Sequence, residues 1–100
     1  MTTSPNDWKT DDTERLSRVF LSLTTPDEIA MFLRDLCTHR ELTEMAHRWL
    51  TVRLLDQGLS YRDIAERTGV STATITRVAQ WLNRGTGGYQ LVLQRTRESS

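Results

Sequence analysis

A glycine at position 69, placed between two short helical patterns, constrains this chain more than any other feature. Ser60 is a suitable N-cap for the first pattern, and a second helix is expected after Ser71. Glycine adopts the left-handed backbone conformation without steric cost, so Gly69 predicts a sharp turn between the two helices. The segment from residue 61 to residue 81 therefore predicts a helix-turn-helix.

Small and apolar residues at fixed distances from this glycine support the prediction. Ala65 lies four residues before it, where two crossing helices approach each other closely. Ile64 and Ala65 are the expected inner positions of the first helix. Ile75 and Val78 are expected to face back onto that helix, and Val70 to fill the corner between the two.

The second helix then carries a distinct outward set of side chains. These are small, hydroxyl-bearing or cationic: Thr72, Ala73, Thr76, Arg77 and Gln80. Such side chains suit base edges and phosphates, whereas a merely structural hairpin is expected to carry Glu and Lys there. We therefore predict that double-stranded DNA is the partner, and a helical hairpin used for protein contact is the alternative.

The N-terminal turn of the second helix is expected to enter the major groove. The predicted DNA-binding residues are Arg62, Ser71, Thr72, Ala73, Thr74, Thr76, Arg77, Gln80 and Arg84. Base-edge contacts are assigned to the four threonine and alanine positions 72, 73, 74 and 76, through hydroxyl and methyl groups. Arg62 has the reach for a guanine or a phosphate, and Arg77 and Arg84 are better placed for phosphates. For each single arginine, a solvated surface position is the alternative.

Charge is unevenly divided along the chain. The formal net charge is zero, but residues 1–59 carry seven Lys/Arg and ten Asp/Glu, whereas residues 60–100 carry six Arg and three acidic residues. The part that holds the motif is thus at +3, which favours an anionic partner. A difference of a few charges also occurs on ordinary solvated surfaces.

The chain before the motif also indicates helices. It shows no sustained period-two alternation, which would indicate a strand. Residues 1–10 are expected to form a flexible arm, followed by an amphipathic helix with Asp11 or Asp12 as its cap. Thr25, Pro26 and Glu28 have the spacing of a capping box at the start of a second helix.

A third, longer helix is expected from Thr38 to about residue 57, ended by Gly58. Its apolar residues cover more than one face, which a helix on a monomer's surface would expose to water. We therefore predict that residues 11–59 are a helical dimerisation region; a central helix packed on both sides within the monomer is the alternative. The expected segments after it are the helix-turn-helix, residues 60–84, a C-terminal helix within residues 85–97 that follows a flexible glycine-rich joint, and a disordered tail, residues 98–100.

Other chemistry finds little support in the sequence. His39 and His47 lie eight residues apart with no acidic or cysteine ligand to complete a metal set, and Cys37 lies in an apolar run typical of a core. No converging set of cations and a carboxylate indicates an all-helical dimeric enzyme, so we predict neither catalysis nor a cofactor. Because no run of about 18 apolar residues occurs, we expect a cytoplasmic protein without a membrane partner.

Three stretches of the motif resemble the Trp repressor family: Ser60-Tyr61-Arg62-Asp63-Ile64, Gly69, and Thr72-Ala73-Thr74-Ile75-Thr76-Arg77. Residues 35–93 resemble its YerC/YecD-like branch. The resemblance implies an all-α fold, a six-helix intertwined homodimer with a helix-turn-helix. It also implies a sequence-specific transcriptional regulator, a repressor that binds a palindromic operator with half-sites about one helical turn apart.

Two positions depart from the tryptophan-sensing members of that family. Where those members carry Gly and Ser, this chain has Val78 and Trp81, and we expect these larger side chains to occlude the family's ligand site. Arg77, a carboxylate partner in the family, is retained. The family's second ligand-binding arginine maps either to His47 or, with one gap, to Arg48. We therefore predict that free tryptophan is not the corepressor; the effector stays unknown.

Overall fold

Every regular element of the chain is a helix within residues 6–99, the part that the computed structural model describes, with side chains to residue 97. The helices are α1 (Asp11–Val19), α2 (Pro26–Leu36), α3 (His39–Asp56), α4 (Tyr61–Thr68), α5 (Thr72–Arg84) and α6 (Gly88–Ser99), with a short 3-10 turn (Phe20–Ser22) after α1. The predicted all-α fold class is confirmed. The chain divides into two compact units, of which the first ends at His39 and the second begins at Arg40.

The first unit begins with a helix whose cap differs from the prediction. Thr10, not Asp11 or Asp12, is the N-cap of α1, and its hydroxyl accepts from the backbone N–H of Thr13 at 3.1 Å. The Thr13 hydroxyl in turn accepts from the Thr10 backbone N–H at 2.8 Å and donates to the carbonyl of Trp8 at 2.7 Å. Because this reciprocal pair already caps the helix, the two aspartates lie in its first turn, where the helix dipole favours negative charge.

The start of α2 follows the predicted sequence signature with a shifted partner. Thr25 is the N-cap and accepts from the Glu28 N–H at 3.2 Å, with Pro26 in the first helical position. The Glu28 carboxylate, however, accepts from the backbone N–H of Thr24 at 2.8 Å and from the Thr24 hydroxyl at 3.1 Å. The prediction that the Glu28 carboxylate bonds back to the N-cap Thr25 is therefore wrong, because it bonds to Thr24. These bonds, the backbone one foremost, hold the pKa of Glu28 below its ordinary value.

Inside the first unit, the ring of Phe20 packs edge-on against that of Phe32, with centroids 5.4 Å apart and an interplanar angle of 78°. This is a favoured geometry for two aromatic rings. It joins the end of α1 to the middle of α2. Residues 1–5 of the predicted arm lie outside the described residues, whereas Asn6 and Lys9 are joined by a backbone turn bond of 2.9 Å.

The second unit contains two buried apolar clusters. The turn cluster is Leu54, Ile64 and Ile75, from α3, α4 and α5. The C-terminal cluster is Val52, Val78 and Leu93, from α3, α5 and α6. Because both clusters use α3 and α5, these two helices form the frame on which the other two are packed.

The junctions of the second unit are ordered by short-range bonds. Helix α3 ends at Asp56, and Gly58 follows with a positive φ of 87°. The joint between α5 and α6 has Gly85 against Trp81, whose ring atom Cε3 would lie 2.9 Å from a Cβ at position 85. Helix α6 begins at Gly88, the last residue of the predicted glycine-rich joint, and its backbone continues to Ser99, within the predicted disordered tail; residue 100 lies outside the described residues.

Candidate nucleic-acid interface

The turn between α4 and α5 is closed by three local hydrogen bonds. Gly69 has a φ of 74°, and its N–H donates to the Ala65 carbonyl at 2.9 Å. The hydroxyl of Thr68 donates to the Ile64 carbonyl at 2.7 Å and accepts from the Val70 N–H at 3.0 Å. These bonds leave the corner without an unpaired backbone N–H at Gly69 or Val70, so the direction of α5 relative to α4 is fixed.

Apolar side chains fill the inside of this corner as the sequence predicts. Ile64 and Ile75 are fully buried, and Val78 is 4% exposed. Val70 and Ala65 are partly buried against the turn cluster. The predicted inward set is therefore confirmed, and α5 is held by its apolar side.

The opposite side of α5 faces solvent. Its exposed residues are Thr72, Ala73, Thr76, Arg77 and Gln80, as predicted. Ser71 precedes them as the N-cap of α5 and accepts from the Thr74 N–H at 3.2 Å. The first turn of α5 contains no acidic residue, so its outward N–H groups present a positive end to a phosphate.

Thr74 lies apart from this exposed face. Its side chain is half-buried, and its hydroxyl bonds to that of Ser71 at 3.0 Å. Thr74 also lines a cavity on the other side of α5. Thr74 was predicted to contact base edges because it lies between Ala73 and Thr76 along the chain.

The predicted cationic residues are all exposed. Arg62, in the first turn of α4, has its Nε 3.4 Å from a carboxylate oxygen of Glu66. Within residues 6–97, no ion pair involves Arg77 or Arg84. These two guanidinium groups are therefore available to an anion without breaking an ion pair.

A cavity of about 670 Å³ lies beside α5, within the second unit. His47 and Arg48, the two alternatives left open by the sequence, both line it, as does Arg77. Val78 and Trp81 lie in its wall rather than filling it: Val78 is turned into the C-terminal cluster, and Trp81 is 63% exposed. The cavity is of a volume that small molecules occupy in other proteins.

Sequence reasoning missed Thr68 and did not place the cavity's acidic residue. Thr68 closes the turn through its hydroxyl, and its position four residues after Ile64 was the available signal. Glu44 lines the cavity on α3, and its carboxylate lies 3.3 Å from the Nε of Arg40. Helical spacing was the signal for this residue, since Glu44, His47 and Arg48 lie on adjacent turns of one helix.

Two features are absent from the part of the chain that the structure describes. Within residues 6–99, no helix has the length and apolar character needed to cross a membrane. Among the side chains of residues 6–97, no group of three or more His, Cys, Asp or Glu is arranged to hold a metal ion.

Comparison with known proteins identifies the family of this chain. The family model described as Trp repressor protein matches residues 11–97. The chain belongs to the Trp repressor family. Members of this family are DNA-binding transcription regulators, and the family is not one of enzymes.

Relatives in the Trp repressor family resemble the chain over most of its length. The uncharacterized protein YerC of Bacillus subtilis (strain 168) is 40% identical over 86 residues, which cover 86% of this chain and 83% of YerC. A solved TrpR-like protein from Eubacterium eligens is 42% identical, with a TM-score of 0.85 over 91% of this chain and 94% of its own. A candidate Trp repressor from Staphylococcus aureus is 29% identical, with a TM-score of 0.87 over 96% of each chain. The predicted Trp repressor-like fold and its YerC-like branch are therefore confirmed.

Proposed function

We propose that this chain is a sequence-specific transcriptional regulator, a repressor that binds a palindromic operator as a homodimer. One observation carries the proposal: the helix-turn-helix holds α5 by its apolar side and leaves hydroxyl-bearing and cationic side chains exposed on the other. Membership in a family of DNA-binding regulators supports the same function. A cytoplasmic location is part of this proposal.

The contacts follow from the geometry of α4 and α5. Thr72, Ala73 and Thr76 reach base edges when the N-terminal half of α5 lies in the major groove. Arg77, Gln80 and Arg84 lie further along the helix, nearer the phosphates that border the groove. Arg62 reaches a guanine or a phosphate from α4 once it leaves Glu66, an exposed ion pair of small energetic value.

Exposed apolar side chains support the homodimer. In the first unit, Leu21 is 85% exposed, Met31 68% and Leu36 50%. In the second unit, Trp81 is 63% exposed. A second copy of the chain would cover such surface, and it would also supply the second α5 that a two-fold operator requires.

A gel-shift series over salt concentration tests the DNA-binding function. The affinity of the wild-type protein for its operator, selected from a random DNA pool, should fall steeply as salt rises, because phosphate contacts release counterions. In Arg77→Ala, the slope of log affinity against log salt should decrease by about one for each phosphate that the variant no longer neutralises. Arg53→Ala is the matched control, since Arg53 is exposed on α3 outside the proposed interface.

Two results would contradict the proposal. One is a pool from which no sequence is enriched; the other is weak binding without salt dependence. Either outcome would favour the alternative, a helical module that contacts a protein of the transcription machinery through the same hairpin.

We also propose that DNA binding does not depend on tryptophan. Val78 and Trp81 stand in the cavity wall beside Arg77, and we propose that they take up the part of the site that Gly and Ser leave open in the tryptophan-sensing members, so that the remaining cavity no longer fits tryptophan. Calorimetric titration with free tryptophan should give no saturable heat in the micromolar range. Saturable micromolar binding would overturn this part of the proposal and leave the salt-dependence test unaffected.

A further inference from the structure

The hydroxyl group of Thr76 already serves as a hydrogen-bond donor. Thr76 lies one turn after Thr72 on the exposed face of α5, and its Oγ1 is 2.9 Å from the carbonyl oxygen of Thr72. A carbonyl oxygen has no proton to give, so the hydroxyl proton must lie between the two oxygens. The single donor of this side chain is therefore used within the helix.

The same local bond holds the proton in place. If the hydroxyl turned its proton outward, two electron-rich oxygens would face each other at 2.9 Å with nothing between them. This repulsion would add to the loss of the hydrogen bond itself. Thr51, Thr68 and Thr96 make the equivalent bond to the carbonyl four residues earlier, so the arrangement is a regular property of threonine in these helices.

What Thr76 presents outward is therefore a methyl group and the acceptor lone pairs of its oxygen. Phosphate oxygens, guanine O6 and N7, and thymine O4 are themselves acceptors, and they form no hydrogen bond with such a group. The exocyclic amino groups of adenine and cytosine are the donors of the major groove. Thr72 differs, because no hydrogen bond within residues 6–97 uses its hydroxyl group. The Thr72 hydroxyl can therefore act as donor or acceptor.

We infer that Thr76 determines specificity by accepting a hydrogen bond from the amino group of an adenine or a cytosine in the major groove, and that it does not contact a phosphate. This inference rests on the proposed DNA-binding function. It assigns to Thr76 the role of hydrogen-bond acceptor only, which the residue type does not establish, since a threonine hydroxyl can donate or accept.

The test combines base analogues with threonine variants in the full-length protein. A binding site is first selected from a random pool with the wild-type protein. In that site, each adenine is replaced in turn by purine, which lacks the 6-amino group, and each cytosine by 2-pyrimidinone, which lacks the 4-amino group. Affinities are measured for the wild type, Thr76→Ser, Thr76→Val and Thr76→Ala. Thr96→Val is the matched control, because it removes the same kind of helix bond outside the interface.

One replacement in each half-site should weaken binding of the wild type and of Thr76→Ser by about three- to tenfold, as expected for one hydrogen bond. It should leave Thr76→Val and Thr76→Ala unaffected, and Thr96→Val should behave as the wild type. The inference is overturned if every replacement costs the same with and without the hydroxyl group. It is also overturned if Thr76→Val loses sensitivity to a neutral methylphosphonate instead, which would indicate a phosphate contact. A pool that yields no enriched site overturns the proposed function and this inference together.

Discussion

Single Thr or Ser residues cap the N-termini of α1, α2, α4 and α5. Thr10, Thr25, Ser60 and Ser71 each accept a hydrogen bond from the backbone N–H three residues later. The residue types of the last three were predictable, because Ser and Thr before an apolar run are typical N-caps. The hydrogen-bond partner of the Glu28 carboxylate was not predictable. A flexible carboxylate can reach the backbone N–H of either Thr24 or Thr25, and sequence spacing does not decide between them.

Glu28 gives a pH-dependent prediction. Its lowered pKa means that the folded state favours the ionised carboxylate, so the stabilisation is present above the ordinary glutamate value of 4.5 and is lost as pH falls through the folded value. Glu28→Gln should be less stable than the wild type at neutral pH, and the difference should shrink in acid. Urea denaturation at a series of pH values from 7 to 3 measures this. Asp35→Asn, at the other end of α2, is the control, and a difference that is constant with pH would refute the prediction.

Gly69 gives a prediction about backbone conformation alone. A Cβ at this position would meet no atom within 4 Å, so Gly69→Ala introduces no clash, and its cost arises from the positive φ of 74°. We expect a loss of about 1–2 kcal/mol in the free energy of unfolding. Gly88→Ala is the matched control, because its surroundings are equally open and it lies in the first turn of α6. Equal stability of the two variants in urea denaturation would contradict this account.

At the scale of elements, the sequence predicts the helix-turn-helix well because several independent signals coincide there. The cap at Ser60, the turn at Gly69 and the buried positions Ile75 and Val78 each specify the same geometry. The bonds of Thr68 and the half-buried position of Thr74 were missed, because a threonine in a helix indicates which hydroxyl bonds are possible but not which of them form. Exposure of a face follows from periodicity, whereas the bonding of a hydroxyl group does not.

Thr68 provides the prediction for the turn as an element. Thr68→Val removes the acceptor of the half-buried Val70 N–H, which should cost about 1–3 kcal/mol in stability. Thr68→Ser keeps the hydroxyl group and should retain most of that stability. Chemical denaturation measures both variants, and operator affinity should decrease with the valine variant beyond the unfolded fraction, because α5 loses its fixed direction. A valine variant with wild-type stability and affinity would show that the hydroxyl has no role in the turn.

For the whole molecule, the neutral total charge is the sum of a negative N-terminal part and a positive C-terminal part, and exposed apolar side chains in both units support the proposed homodimer. The sequence predicts dimerisation from the apolar residues of one helix. It does not identify which surfaces meet, because both units expose apolar side chains. The effector, too, lies beyond sequence reasoning, since the identity of one or two wall residues does not fix the volume of a cavity.

Met31 provides the prediction for assembly. Its side chain is 68% exposed on α2, so Met31→Glu should not disturb the fold of one chain, but a dimer would have to bury the new carboxylate. We expect the dimer dissociation constant to rise by about 100-fold or more. Sedimentation equilibrium measures it. Asp35→Lys, a charge change at an exposed polar position of the same helix, is the control, and a wild type that remains monomeric at high concentration would contradict the dimer.

The closed corner between α4 and α5 has a consequence for how the family's chains can vary in length. A helix advances by about 100° per residue, so one extra residue inserted in the first turn of α5, between Thr72 and Ile75, would rotate the rest of α5 by that angle relative to the corner. The isoleucine now in the core would be carried toward water and the polar row would be carried inward. The first turn of α5 must therefore keep its length wherever the rotation of α5 is to be preserved.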